Sequence, residues 1–318
     1  MFLGIDIGGS KIAYALCQPS GEIVARWRRP TEASGDPATD LARMVADVRS
    51  LLAESGLEDR KLLRVGVSVP GPLDRERQRV IRPPNLRGWE SVPVVSVLAA
   101  EFGCPITLEN DANAAALAEH RFGAGQGARD LAYLTMSTGV GAGLILGGRL
   151  HRGRSGNAGE LGHTPVEWPG EPCACGLRGC LEAYVGGAAL SLRLREHAPD
   201  DSQTLRLAGE RAELTPVHLI EAARSGDIWA LAEMDRFNEY LSQAIVHLAF
   251  SLAPEMVVLG TIAVAAGDTL CFEPVRARVA ERCWPHQAPG MKIVPAALGD
   301  DLAYRAGICV ALDAEESG

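Results

Sequence analysis

A chain of 318 residues, 47% hydrophobic and 22% charged, has the material for two ordinary folded domains or one large one, and is not a disordered polymer. Its net charge of −9 argues against a broad surface for nucleic acid, yet leaves room for a small anion held by backbone N–H groups and a metal ion. No apolar run is long enough to span a membrane. The opening MFLGIDIGG has no basic n-region and meets Asp6 at once, so a cytoplasmic protein is expected.

FLGIDI, KIAYALC and EIVARW read as three strands, separated by a Gly-rich turn and a Gln-Pro-Ser-Gly turn. Residues 36 to 55 read as helix, because Leu41, Met44, Val45, Val48, Leu51 and Leu52 recur at helical spacing. RVGVSV (64–69) is a buried strand that ends at Pro70-Gly71-Pro72. Residues 91 to 102 suit a helix and PITLEN a short strand. The Ala-rich DANAAALAEHRFG (111–123) suits a helix stopped at Gly123, a C-cap candidate. Asp111 therefore falls where a strand hands over to a helix.

The pattern then restarts. DLAYLTMSTGVGAGLILGGRL (130–150) repeats strand, Gly-rich turn, strand and turn. Residues 151 to 187 are irregular and rich in Gly and Cys. A long amphipathic helix near 227 to 252, a buried strand EMVVLG, a short strand MKIVP and a final helix from about Asp301 complete the chain. The expected fold is α/β, with two similar domains and a cleft between them. The domains are placed at 1–115 with 300–318, and at 116–299.

Four segments carry chemistry. In DIGGSK (6–11), Gly8 and Gly9 allow close backbone approach to phosphate oxygens. Asp6 is placed to orient hydrated Mg²⁺, Ser10 to donate to phosphate and Lys11 to add charge. A tight hairpin with a satisfied Asp is the plain alternative. STGVGAG (137–143), with Thr138 and Gly139, is a second turn of the same kind. Neither segment is a Walker A motif or a Rossmann fingerprint. LENDANAAA (108–116) offers Asp111 as the carboxylate that accepts a hydroxyl proton in phosphoryl transfer. Asn110 or Asp111 acting only as a helix cap is the alternative.

GELGH followed after nine residues by CACGLRGC gives His163, Cys173, Cys175 and Cys180, a complete tetrahedral zinc set. Gly176 and Gly179 let that loop turn sharply. A closed four-ligand site is structural, since no position is left for water. Incidental buried cysteines, or a disulfide, are the alternative reading. The scattered Cys17, Cys104, Cys271, Cys283 and Cys309 read as small buried hydrophobes. Glu160 and Glu182 flank the zinc set, and carboxylates held by so tight a loop suit vicinal hydroxyls.

Together, LENDANAAA, GELGH and CACGLRGCLEAY resemble the ROK family of bacterial sugar kinases and related regulators over nearly the whole chain. The resemblance implies twin actin-like, ribonuclease H-like domains and ATP-dependent phosphorylation of a hexose 6-hydroxyl, glucose first. Kinases for N-acetylmannosamine or N-acetylglucosamine are the close alternatives. It implies Asp111 as general base, and Asn110, Glu160, His163 and Glu182 as sugar contacts, His163 also ligating zinc. Gly71 and Asn85 become further walls of the sugar site. Gly8, Gly9, Ser10, Lys11, Thr138 and Gly139 become phosphate contacts, with Gly260 near the adenosine and Mg²⁺ accompanying ATP. A sugar-sensing regulator of the same family needs an added DNA-reading helix, for which there is no room ahead of Asp6. A purely structural zinc protein leaves the paired Gly turns and Asn110-Asp111 without a role. The resemblance also implies a homodimer or homotetramer, with hexose and ATP as partners; the acidic charge and the lack of a spanning run lead us to expect neither nucleic acid nor membrane as partner. One departure stands out. VVLG is followed by Thr261 and Ile262 where the family places more glycine, and a β-branched side chain there alters the nucleotide fit.

Overall fold

The structure is a computed structural model that describes residues 1–83, 86–286 and 290–317. The chain divides into two compact units. One holds Met1–Gly123, Arg152–Asn157 and Leu298–Gly318; the other holds Ala124–His151 and Ala158–Ala297.

The first unit opens with β1 (Phe2–Ile7), β2 (Lys11–Cys17) and β3 (Ile23–Pro30), then α1 (Pro37–Glu54), β4 (Arg64–Val69), α2 (Val94–Phe102), β5 (Ile106–Asn110) and α3 (Asp111–Phe122). Its sheet runs β3-β2-β1-β4-β5. The first three strands form antiparallel pairs, and β1-β4-β5 are parallel. The second unit repeats the plan with β6 (Leu131–Met136), β7 (Val140–Leu146) and β8 (Arg149–Leu150). Then come α4 (Glu182–Val185), α5 (Gly187–His197), α6 (Gln203–Ala208), α7 (Pro216–Arg224), α8 (Ile228–Leu252), β9 (Met256–Thr261), α9 (Ile262–Gly267), α10 (Glu273–Arg282) and β10 (Lys292–Pro295). Its sheet runs β10-β9-β6-β7-β8. Position by position this is the same topology, with β6 and β7 antiparallel and β6-β9-β10 parallel. The last helix, α11 (Leu302–Ser317), belongs to the first unit.

The elements form where apolar spacing and capping place them. Asp36 caps α1 by accepting from the backbone N–H of Ala38 and Thr39, while Leu41, Met44, Val45 and Val48 face the core. Pro93 delays α2 to Val94, later than the start expected at residue 91. The long helix α8 keeps its expected bounds, with Asp227 accepting from Ala230 N–H at its start. α11 lies directly on β1 and β4. A Cβ on Gly4 would stand 2.3 Å from Ile308 N, and one on Gly66 2.1 Å from Gly307 O. Bare glycine backbone is what lets this helix approach so closely. β1 and β4 are therefore covered and nearly all their residues are buried, which fixes their ends in space. Among the described residues no helix is long and apolar enough to cross a membrane.

Candidate active site

Within the first unit, the predicted carboxylates meet at the ends of β1, β4 and β5. Asp6 sits near the end of β1, and Ser68 of the neighbouring β4 donates its hydroxyl to Asp6 Oδ1 at 2.6 Å. Asn110 ends β5 and caps α3, its Oδ1 accepting from Ala112 N at 2.9 Å and Asn113 N at 3.3 Å. The capping alternative is thus realised by Asn110, and Asp111 stands at the first helical position with its residue exposed. Gly71 belongs to the same group, since a Cβ there would come within 3.2 Å of Asn110 Nδ2. Asn85 lies outside the described residues.

Both carboxyls hold protons more tightly than usual. Desolvation by surrounding protein pushes Asp6 up to about 7, against the Ser68 hydrogen bond and Lys11, with the negative charge of Asp111 adding to the rise. Asp111 is also raised, chiefly by desolvation, while its backbone hydrogen bonds and Asn110 pull the other way. Solvent reaches Asp111, so its rise is smaller than full enclosure would produce. Two mutually repelling carboxyls of raised proton affinity suit a proton acceptor beside a divalent cation.

Sequence reasoning missed the support beneath this junction. Glu109, at 1% exposure, receives Arg77 Nη1 at 2.7 Å and Arg152 Nε at 2.6 Å on Oε2. Its Oε1 receives Asn110 N–H and Asn113 Nδ2, each at 3.0 Å. Arg152 also reaches Asp313 of α11 at 2.9 Å. A buried carboxylate compensated so fully holds its neighbours in one arrangement. The available signals were a Glu inside a buried strand, and Ser68 within RVGVSV; nothing local pointed to Arg77 or Arg152.

The first glycine turn follows β1. Gly8 N–H donates to Lys11 O at 2.9 Å, the Thr31 hydroxyl donates to Gly8 O at 2.7 Å, and Thr31 N–H to Ser10 O at 2.9 Å. Gly9 and Ser10 are exposed, and Lys11 Nζ lies 3.7 Å from Asp300 at the surface.

Within the second unit, His163, Cys173, Cys175 and Cys180 converge, one ligand atom from each lying within 4.8 Å of the others. Zinc with thiolate bonds of about 2.3 Å in tetrahedral array puts two sulfurs about 3.8 Å apart. Cys175 Sγ and Cys180 Sγ stand 3.8 Å apart, and Cys173 Sγ stands 3.8 Å from His163 Nδ1. All three thiols are free in the structure. Gly179 makes the loop possible, with φ at +77° and a Cβ position only 1.7 Å from Glu167 O.

Glu182 opens α4 and faces two ways. Its Oε1 accepts from the Cys173 thiol at 3.5 Å, and its Oε2 accepts from Val140 N–H at 2.9 Å. Gly139 is bare because a Cβ there would meet Glu182 Oε2 at 2.3 Å. The second glycine turn is therefore tied by one carboxylate to α4, which begins two residues after Cys180. Thr138 O accepts Ala188 N–H at 2.9 Å and Ser137 O accepts Gly187 N–H at 2.7 Å, so the start of α5 supports the turn from behind. Glu160 precedes the short helical turn Leu161–His163 and is exposed, while Gly260 packs beneath the Tyr133 hydroxyl.

The ROK family model matches residues 2–312. The chain belongs to the ROK family. A glucokinase from Thermotoga maritima is 36% identical over 301 residues, which is 94% of this chain and 93% of that protein. A ROK hexokinase from Thermus thermophilus superposes with a TM-score of 0.85 at 31% identity, covering 100% of this chain and 99% of that one. A ROK glucokinase from Streptomyces griseus, solved with glucose and AMPPNP, superposes at 0.78 with 30% identity, over 100% and 99% of the two chains. The twin α/β units are thus the actin-like pair that the sequence implied.

Proposed function

We infer that this chain is an ATP-dependent sugar kinase that phosphorylates the 6-hydroxyl of a hexose, with glucose the first substrate. The observation that carries this reading is the Asn110–Asp111 junction: an accessible carboxylate of raised proton affinity, beside Asp6, in a chain that matches a glucokinase over 94% of its length.

Asp111 accepts the proton of the sugar hydroxyl as its oxygen attacks the γ-phosphorus of ATP. The bond from that phosphorus to the bridging oxygen breaks, and ADP leaves with the electron pair. The raised affinity of Asp111 suits this work, because a stronger base takes the proton more readily. Asn110 and Gly71, which lie together, and Glu160, His163 and Glu182 bind and orient the hydroxyls. Gly8, Gly9, Ser10, Lys11, Thr138 and Gly139 present backbone N–H and side-chain donors to the nucleotide phosphates, with Gly260 nearby. Asp6 would orient the Mg²⁺ that neutralises phosphate charge. The Cys3His donor set fits zinc as a structural ion, and its Nδ1 side faces the thiols, leaving His163 Nε2 for a sugar hydroxyl. A cytoplasmic homodimer or homotetramer working on free hexose and ATP, with no nucleic acid, completes the proposal.

The test is ADP release from Mg-ATP with glucose, mannose, fructose, N-acetylglucosamine and N-acetylmannosamine. Turnover with glucose foremost is expected. Preference for an N-acetylhexosamine would move the substrate, and silence with all five would overturn the kinase reading.

A further inference from the structure

Thr261 ends β9 with φ at +47° and ψ at −106°. These angles are those of the first central residue of a type II′ turn, a position that glycine dominates because a Cβ is crowded there. A β-branched residue is the least suited of all to it. Something must hold Thr261 in place, and its own hydroxyl does so. Oγ1 donates to the Met136 carbonyl and lies 3.2 Å from Thr135 Oγ1. Thr261 pairs with Met136 and Gly260 with Thr135 in the parallel ladder between β9 and β6. Met136 is the last residue before the turn Ser137–Gly139. On its other side that turn is held by Gly187 N–H, and a Cβ on Gly187 would touch both Ser137 O and the Ile262 side chain. Thr261 therefore braces the root of the turn from the end of β9.

We propose that Thr261 is a positioning residue of the nucleotide site: its hydroxyl clips the end of β9 to the end of β6 and so sets where the Ser137–Gly139 turn lies. The proposal rests on the reading of that turn as a phosphate contact. The clip and the backbone pull against each other, so affinity for nucleotide and stability of the fold respond differently to substitution. Glycine relaxes the backbone and loses the clip. Valine keeps shape and crowding and loses the clip. Serine keeps the hydroxyl.

The experiment compares wild type with T261S, T261V and T261G, measuring ADP affinity by calorimetry, KM for ATP and for sugar, and thermal unfolding. Loss of one hydrogen bond predicts ADP binding about fivefold weaker in T261V and T261G, with a matching rise in KM for ATP. KM for sugar stays unchanged, and T261S stays within about twofold of wild type. T261G unfolds at a higher temperature than T261V despite equally weak nucleotide binding. If T261V and T261G bind ADP as wild type does, the proposal is wrong. It is equally wrong if the KM values for ATP and sugar rise together in step with lost stability. If wild type itself binds no ADP, the nucleotide reading falls first and this inference with it.

Discussion

The two glycine turns have the same place in the same topology and are held by different means. The first relies on its own backbone and on Thr31, whose hydroxyl reaches Gly8 O at 2.7 Å. The second leans on Glu182, which receives Val140 N–H on Oε2 and stands two residues after Cys180 of the Cys/His set. The comparison teaches that a repeated fold does not imply repeated support. The unit with the Asn110–Asp111 junction steadies it by hydrogen bonds and by the buried Glu109 with Arg77 and Arg152. The other unit steadies its turn through a metal-type donor set.

The largest expected effect separates chemistry from scaffold. Asp111→Ala should lower kcat by roughly 10²- to 10⁴-fold, with zinc content and ADP binding unchanged. A variant with near-normal kcat would remove Asp111 from its role.

Removal of zinc should strike one turn and spare the other. Cys180→Ser, assayed for bound zinc and by hydrogen exchange, is expected to lose the metal and the amide protection of residues 137–141, with residues 8–11 unaffected. KM for sugar should rise about 10- to 100-fold, as expected when the support of a ligating or binding group is lost. Equal loosening of both turns would contradict this asymmetry of support.

Gly139→Ala sharpens the point further. Its Cβ would displace the Glu182 carboxylate, 2.3 Å away, from Val140 N–H. A rise of about tenfold in KM for ATP is expected, equivalent to about 1.4 kcal/mol. An unchanged KM would mean that Glu182 does not steady the turn.

A last effect concerns pH. Asp6 rises from 3.8 to about 7 on folding, so the folded state binds more protons between those values. Its contribution to stability is present below pH about 4 and is lost as pH rises through about 7. Asp6→Asn should therefore raise the unfolding temperature at pH 8 relative to wild type, and the advantage should shrink toward pH 4. A constant difference across that range would contradict the sign.

Much of this was legible in the sequence because it is local. Strands with regular apolar runs, the Asp227-capped α8 and the His163–Cys180 set are all decided by neighbours in the chain. Asp111 as reactive carboxylate, and Asn110 or Asp111 as mere cap, were competing readings of one motif; in the structure Asn110 caps α3, and Asp111 Oδ1 shares the Ala112 N–H at 2.8 Å. The hidden part is long-range. The seating of α11 on Gly4 and Gly66 joins ends of the chain, and the convergence of Arg77 and Arg152 on Glu109 depends on segments that no periodicity relates. Thr261 was visible as a residue out of place, but its clip to Met136 needed the register of β6 and β9.

The central claim is transfer of phosphate from ATP to a hexose 6-hydroxyl, and the most direct measurement is ³¹P NMR of the product formed from glucose and Mg-ATP, alongside 6-deoxyglucose. The account predicts glucose 6-phosphate in step with ADP, and no product from the deoxy sugar. Phosphate at another carbon, or equal ADP release with 6-deoxyglucose, would contradict it.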